Sequence, residues 1–380
     1  MRRCFAAILV LVFVVGALPV GAGALEVEAK SAVLMDVATG TILYEQNAHE
    51  PLAPASVTKV MTLLLVMEAI DSGALGWKDS VTASEAAASK GGSQIFLKVG
   101  ETMSVEDMVK SVAVSSANDC ACALAEHIAG SEAAFVEKMN ERAAQLGMND
   151  TNFVNCTGLD DDPAAKDHKT SAYDIAIMSR QLLKEHPSIK KYTTIWMDTV
   201  RDGQFGLSNT NKMVRFYPGA TGLKTGFTSA AGYCLSSSAQ REGMELVAVV
   251  MGCETSAKRF TACKQLLDHG FANYALITPE LTEPQSVPVK LGTEESVGAV
   301  LGENGPMLID KSQRKSVTSH VELQPSVAAP VSKGQALGTL TVKSGDQILM
   351  RLPLVAEKPV MKVSWKSVFL KVLKCMFTGA

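Results

Sequence analysis

The stretch Pro54-Ala55-Ser56-Val57-Thr58-Lys59, running on into Val60-Met61-Thr62-Leu63-Leu64-Leu65-Val66, decides how this chain is read. An apolar run with no interior glycine or proline predicts a helix over Val57–Ile70. Ser56 and Lys59 are three positions apart, so they share one helix face and their hydroxyl and amine can meet. The helix start adds unpaired backbone N–H groups and positive potential where an oxyanion would form. Ser-x-x-Lys alone is weak. It recurs at Ser188–Lys191 and Ser312–Lys315, and neither of those opens a long apolar helix.

Outward from this stretch, two strands are expected at Ala32–Val37 and Thr41–Tyr44, turning at Ala38-Thr39-Gly40. Helices follow at Val105–Val114, Ala117–Ile128, Glu132–Leu146 with Gly147 as its stop, and around Ala172–Lys184. After Gly219 the pattern changes. Gly232–Ala239 and Leu246–Met251 read as buried strands around a Glu242-Gly243 turn, and Phe260–Tyr274 closes the region as a helix. Residues 25–275 therefore read as an α/β domain whose sheet recruits both ends. Residues 276–357 show short apolar segments split by Gly, Pro and Ser, which reads as a small all-β domain.

The two ends differ from the body. Residues 1–24 carry Arg2 and Arg3, no acid, an apolar run over Phe5–Val15, and Ala22-Gly23-Ala24 as a small-x-small cleavage site. This pattern predicts a secretory signal with the mature chain starting at Leu25. Residues 358–380 carry Lys358, Lys362, Lys366, Lys371 and Lys374 and no acid. Trp365, Phe369, Val372, Leu373 and Met376 fall on one arc at helical spacing, with interleaved lysines that forbid a spanning helix. A basic amphipathic helix lying on a membrane surface is expected there. Localisation then follows: export to the outer face of the cytoplasmic membrane, held by the C-terminal tail.

Composition excludes several classes. With 36 Lys+Arg, 39 Asp+Glu and a net charge of −3, nothing suggests a nucleic-acid partner. An apolar share of 47% excludes a disordered chain. His49, His127, His168, His186, His269 and His320 show no zinc-ligand spacing, so no metal or cofactor is expected. The chain has no Gly-x-Ser-x-Gly elbow and no Gly-rich phosphate loop. Of eight cysteines, Cys4 falls in the signal; the odd count of the other seven leaves at least one unpaired thiol or an intermolecular bridge, and seven buried free thiols is one reading among these.

Two further motifs complete the pattern. Ser116-Ala117-Asn118 is the only Ser-x-Asn in the chain, and Lys224-Thr225-Gly226 the only Lys-Thr-Gly. The order Ser-x-x-Lys, Ser-x-Asn, Lys-Thr-Gly, together with Leu146-Gly147-Met148, Gly222-Leu223, Ala231-Gly232-Tyr233 and Val250-Met251-Gly252, resembles the penicillin-binding D-alanyl-D-alanine carboxypeptidases. The resemblance covers nearly the whole chain. Ala117 stands where glycine is common, between two polar side chains whose neighbour need not face the site.

The resemblance implies a β-lactamase/transpeptidase-like catalytic domain, an antiparallel sheet with a helical lobe. The small all-β domain and the amphipathic tail would follow it. It implies removal of the terminal D-alanine from the peptidoglycan stem pentapeptide through an acyl-enzyme on Ser56, with β-lactams as covalent inhibitors. Lys59 would act as base, Ser116 as proton relay and Asn118 as the holder of the substrate amide. Lys224 and Thr225 of the Lys224-Thr225-Gly226 motif would bind the terminal carboxylate, assisted by Arg259. The N–H groups of Ser56 and Phe227 would form the oxyanion hole. For Lys59 to be neutral its pKa must fall by about 3, worth about 4 kcal/mol. An ammonium about 4 Å away at an effective dielectric of about 20 supplies that much, and Lys224 is the expected neighbour, helped by desolvation.

Three rivals remain. A serine β-lactamase would carry a deacylating glutamate in a Glu-x-x-x-Asn loop, and Asn149–Asp162 contains no glutamate. A transpeptidase of the same fold would cross-link rather than release D-alanine. A non-catalytic wall-binding relative would often lack a motif residue, and here none is missing.

Overall fold

The computed structural model describes residues 25–161, 163–302, 305–366, 369 and 376. The expected signal segment, Cys4 and Cys375 lie outside the described residues, as does most of the expected C-terminal helix.

The first part of the chain is a five-stranded sheet clasped by helices. Its elements in chain order are β1 (Ser31–Asp36), β2 (Ile42–Gln46), α1 (Lys59–Asp71), α2 (Val105–Ser115), α3 (Asn118–Ala129), α4 (Glu132–Gln145), α5 (Ala172–Glu185), β3 (Ala220–Thr228), β4 (Gly232–Arg241), β5 (Met244–Cys253) and α6 (Ser256–Asn273). The sheet order is β2-β1-β5-β4-β3, with every pair antiparallel.

Strand alternation divides the core in two. Val33 and Met35 of β1, with Val247, Val249 and Met251 of β5, face the helical lobe. Ala32 and Leu34, with Leu246, Ala248 and Val250, face α6. Both faces are covered, so these central strands read as unbroken apolar runs. In α1, Val60, Met61, Leu63, Leu64, Val66 and Met67 are buried, a pattern that only a helix enclosed on all sides can tolerate. Truncating a fully buried leucine such as Leu64 to alanine costs about 2–5 kcal/mol. Side-chain caps start the outer helices: Ser104 on α2, Ser131 on α4 and Ser171 on α5 each accept a first-turn N–H.

Beyond α6 come β6 (Tyr274–Ile277), β7 (Gln285–Lys290), β8 (Ser296–Leu301), β9 (Met307–Asp310), β10 (Val317–Leu323), β11 (Val327–Ala328), β12 (Ala336–Ser344) and β13 (Gln347–Ala356). Six of them form a second sheet in the order β10-β12-β13-β8-β7-β11 over its own core of Val287, Val297, Leu340, Val342 and Leu354. β6 runs directly out of α6 and pairs antiparallel with β9. Lys311 Nζ donates to the Phe271 carbonyl at 2.8 Å, and Arg314 pairs with Glu242 at 2.8 Å, so the two parts are joined by main chain and by charge.

Candidate active site

Ala55–Thr58 form one turn of 3-10 helix, and α1 begins only at Lys59. The helix expected from Val57 thus starts later, and Ser56 stands in a tighter turn ahead of it. The cause is tertiary. Ala55 adopts φ 48°. Gly158 lies so close that a Cβ on it would fall 1.8 Å from the Ala55 carbonyl oxygen. In a 3-10 turn the side chains at i and i+3 eclipse, which aims Ser56 and Lys59 at each other.

Lys59 Nζ donates to Ser56 Oγ at 2.9 Å and to the Thr157 carbonyl at 2.8 Å. Asn155 shapes the loop that presents this carbonyl: its Oδ1 accepts from the Thr157 and Gly158 N–H groups at 3.1 and 2.7 Å. Below the turn, Thr58 Oγ1 donates to the Ala55 carbonyl and contacts His168 Nε2 at 2.7 Å. His168 Nδ1 accepts from the Val154 N–H at 3.0 Å, which assigns the proton to Nε2. Burial, and then the nearby Lys59 amine, push His168 down to about 4, so it stays neutral.

Burial is also what lowers Lys59, to about 7; Cys156 and Asp119 oppose it. This corrects the expectation that a neighbouring Lys224 ammonium does most of the work. Lys59 is wholly enclosed, and desolvation of a buried amine outweighs its charged neighbours. The repulsion falls on Lys224, held well below the ordinary lysine value by burial, then by Lys59, then by Arg259.

Ser116 sits between α2 and α3 in the left-handed region at φ 64°, almost fully buried. Asn118 follows at the start of α3. Its Nδ2 donates to the Gly91 carbonyl at 2.7 Å and its N–H to the Ser93 carbonyl at 2.7 Å. Its Oδ1 is buried with no partner among the described residues. Asp119 gathers the Ile95, Leu97 and Cys120 N–H groups, fixing the loop that Asn118 touches.

The third motif lies on β3, the sheet edge that packs against the Ala55–Thr58 turn. Gly226 is required there, because a Cβ would fall 2.6 Å from the Pro54 carbonyl and 3.1 Å from the Ser56 nitrogen. Lys224 Nζ donates to the Thr225 carbonyl at 3.0 Å. Thr225 Oγ1 donates to Thr210 Oγ1 at 2.6 Å, and the Thr210 N–H reaches the Val114 carbonyl at the end of α2. Thr210 therefore ties the Lys-Thr-Gly strand to the helix ahead of Ser116. Phe227 is half exposed and stacks on Tyr233 with centroids 4.3 Å apart.

Arg259, from α6, donates to the Gly226 carbonyl at 2.9 Å and the Cys234 carbonyl at 3.4 Å, with Tyr233 and Phe260 against its guanidinium. Its observed contacts thus hold the main chain of β3 and β4. The structure brings Ser56 and Lys59 into direct contact and sets Gly226 beside Ser56. Thr157 and Thr210 were not singled out by the sequence reading. Each meets its partner far along the chain, Thr157 at Lys59 and Thr210 at Val114, which no local spacing reveals.

Comparisons with known proteins identify the family. The D-alanyl-D-alanine carboxypeptidase family matches residues 19–255, and the penicillin-binding protein 5 C-terminal domain matches residues 278–362. The chain is 43% identical over 345 residues to the D-alanyl-D-alanine carboxypeptidase DacF of Bacillus subtilis, covering 89% of this chain and 87% of that protein. It is 33% identical to DacC of Escherichia coli over 88% of this chain and 84% of that protein. Penicillin-binding protein 5 of Haemophilus influenzae superposes with a TM-score of 0.75 at 32% identity, covering 89% of this chain and 98% of that one. Penicillin-binding protein D2 of Listeria monocytogenes, in its ampicillin-bound form, superposes with a TM-score of 0.57 at 34% identity, covering 65% of this chain and 99% of that one. The chain belongs to the D-alanyl-D-alanine carboxypeptidase family of serine penicillin-binding proteins. It is an enzyme with their catalytic fold and their C-terminal all-β domain.

Proposed function

We propose that this chain releases the terminal D-alanine of peptidoglycan stem peptides through Ser56, and that penicillins acylate the same hydroxyl. The observation that carries the residue assignment is the Lys59 amine, enclosed, lowered to about 7, and 2.9 Å from Ser56 Oγ. An amine poised near neutrality can take the serine proton at working pH. Ser56 Oγ then attacks the carbonyl between the two D-alanines, and the carbonyl electrons move onto oxygen beside the Ser56 and Phe227 N–H groups. Collapse breaks the C–N bond. Ser116 passes the proton to the departing amine, and water later cleaves the ester. Asn118 Oδ1, buried without a partner, is suited to accept the substrate amide N–H. Lys224 and Thr225 meet the terminal carboxylate, and Arg259 supports it from behind.

Labelled penicillin on wild type and Ser56→Ala, with D-alanine release from a pentapeptide, tests this reading. We expect a covalent label and D-alanine release on wild type only. Labelling of both proteins removes Ser56 as nucleophile. Rapid turnover of penicillin assigns a β-lactamase instead, and a cross-linked product assigns a transpeptidase.

The finer architecture is part of the same proposal. Residues 1–24 export the chain, 25–275 form the catalytic domain, 276–357 the all-β domain, and 358–380 lie on the membrane surface. Trp365, Phe369 and Met376 are exposed, which supports a lipid-facing arc. No helix among the described residues is long and apolar enough to cross a membrane. The full chain and one ending at residue 357 are compared for flotation with anionic vesicles. Only the full chain should float; equal flotation removes the tail as anchor.

A further inference from the structure

Close to the Ser56–Lys59 pair, α3, α4 and the loop that carries Thr157 bring three donor atoms together. Cys122 lies in α3, Glu132 opens α4, and Cys156 directly precedes Thr157. Their ligand atoms all lie within 4.8 Å of one another. Cys156 Sγ donates to Glu132 Oε1 at 3.2 Å, and Cys122 Sγ to Oε2 at 3.8 Å. The Cys156 N–H also reaches Oε1 at 3.2 Å, while Lys90 Nζ holds Oε2 at 2.5 Å. Both cysteines are fully buried, whereas the Glu132 side chain keeps 21% of its exposure. Glu132, Lys90, Asn155 and Thr157 line an open cavity of about 550 Å³, which gives the cluster access to solvent.

We propose that Cys122, Cys156 and Oε1 of Glu132 form a binding site for a thiophilic divalent cation of the zinc class. Zinc takes thiolate, imidazole and carboxylate ligands in a tetrahedron, with sulfur about 2.3 Å away. Two sulfurs on such a centre stand about 3.8 Å apart, within the spread already present. Water from the cavity completes the fourth position. Coordination forms two metal–sulfur bonds and sends two thiol protons to solvent, with no change of oxidation state. The charges close as well: two thiolates and one carboxylate balance the cation and the Lys90 ammonium, as a buried site requires. Soft thiolates favour zinc over magnesium or calcium. Glu132 and Cys156 follow Cys122 at 10 and 34 residues, a spacing that matches no short zinc-ligand motif. The cation would sit one residue from the carbonyl that holds Lys59.

The test is cobalt(II) titration of the full chain, reduced and metal-free, followed by zinc competition. We expect a sulfur-to-cobalt charge-transfer band that saturates at about one equivalent and is displaced by zinc. It should vanish in the Cys122→Ser/Cys156→Ser variant and persist in Cys253→Ser. Glu132→Gln, whose side chain reaches the surface, should weaken binding about 10-fold or more. No band in wild type, or a band that survives the double variant, overturns the proposal. So does spontaneous loss of two thiols in metal-free chain that is abolished in the double variant, because it assigns the pair to a disulfide. Absorbance reads the site without catalysis, so failure here leaves the Ser56 assignment untouched.

Discussion

Lys59→Met should stabilise the fold while abolishing penicillin labelling. In the unfolded chain a lysine binds its proton at the ordinary value of 10.5, and in the fold at about 7. A displacement of that size corresponds to about 5 kcal/mol between protonation states. Below pH 7 both states hold the proton and the fold bears the whole cost. Between about 7 and 10.5 only the unfolded chain binds it, so wild-type stability rises with pH by about 1.4 kcal/mol per pH unit. Above 10.5 neither state holds the proton and the cost is gone. Methionine keeps the length of the side chain and has no such cost. It forfeits the hydrogen bonds to Ser56 and Thr157, worth about 1 kcal/mol each, and leaves the Thr157 carbonyl unpaired, at about 1–3 kcal/mol. The net gain should be about 0–2 kcal/mol at pH 6 and should turn to a loss near pH 10. Urea unfolding at several pH values measures this, with labelled penicillin run on the same samples. A variant less stable than wild type at pH 6, or a difference that does not change with pH, would refute burial as the source of the lysine's low basicity.

The other predictions concern the frame around the nucleophile. Gly226→Ala drives a Cβ into the Pro54 carbonyl and toward the Ser56 nitrogen, so acylation should fall about 100-fold or more with the fold retained, read by stopped-flow labelling and circular dichroism. His168, lowered from 6.5 to about 4, makes stability fall as pH drops through that window, by up to about 3 kcal/mol. A proton NMR titration should show no His168 charging above pH 5, and a midpoint near 6.5 contradicts its enclosure. Arg259→Lys gives up the Nη1 bonds to the Gly226 and Cys234 carbonyls. It should cost about 1–3 kcal/mol in thermal unfolding and slow acylation, and an unchanged variant shows that the contact is idle.

Ser56 and Lys59 were legible together because i,i+3 adjacency is a property of the chain itself. The 3-10 turn that holds them was not, since the left-handed Ala55 answers to Gly158, a residue far along the chain. The central strands were legible from their apolar runs, and the sheet order was not, because β1 finds β5 across most of the domain. The cause of the Lys59 shift was misjudged for a related reason. Charge is visible in a sequence, whereas the enclosure of α1 on every side emerges only from packing. Thr210 and the Thr157 carbonyl illustrate the same limit, as their roles depend on which distant atom they meet.

The β6–β9 pairing has a mechanical consequence. The chain leaves α6 already as a strand of the next unit, and the Lys311 and Arg314 contacts brace the junction on its flanks. A joint of this kind resists twist as well as stretch, unlike a flexible tether, whose orientation is free. The turn that carries Ser56 is thereby linked to the all-β part through both main chain and charge. Such a joint would carry the body around Ser56 together with the all-β part, as a handle carries a blade.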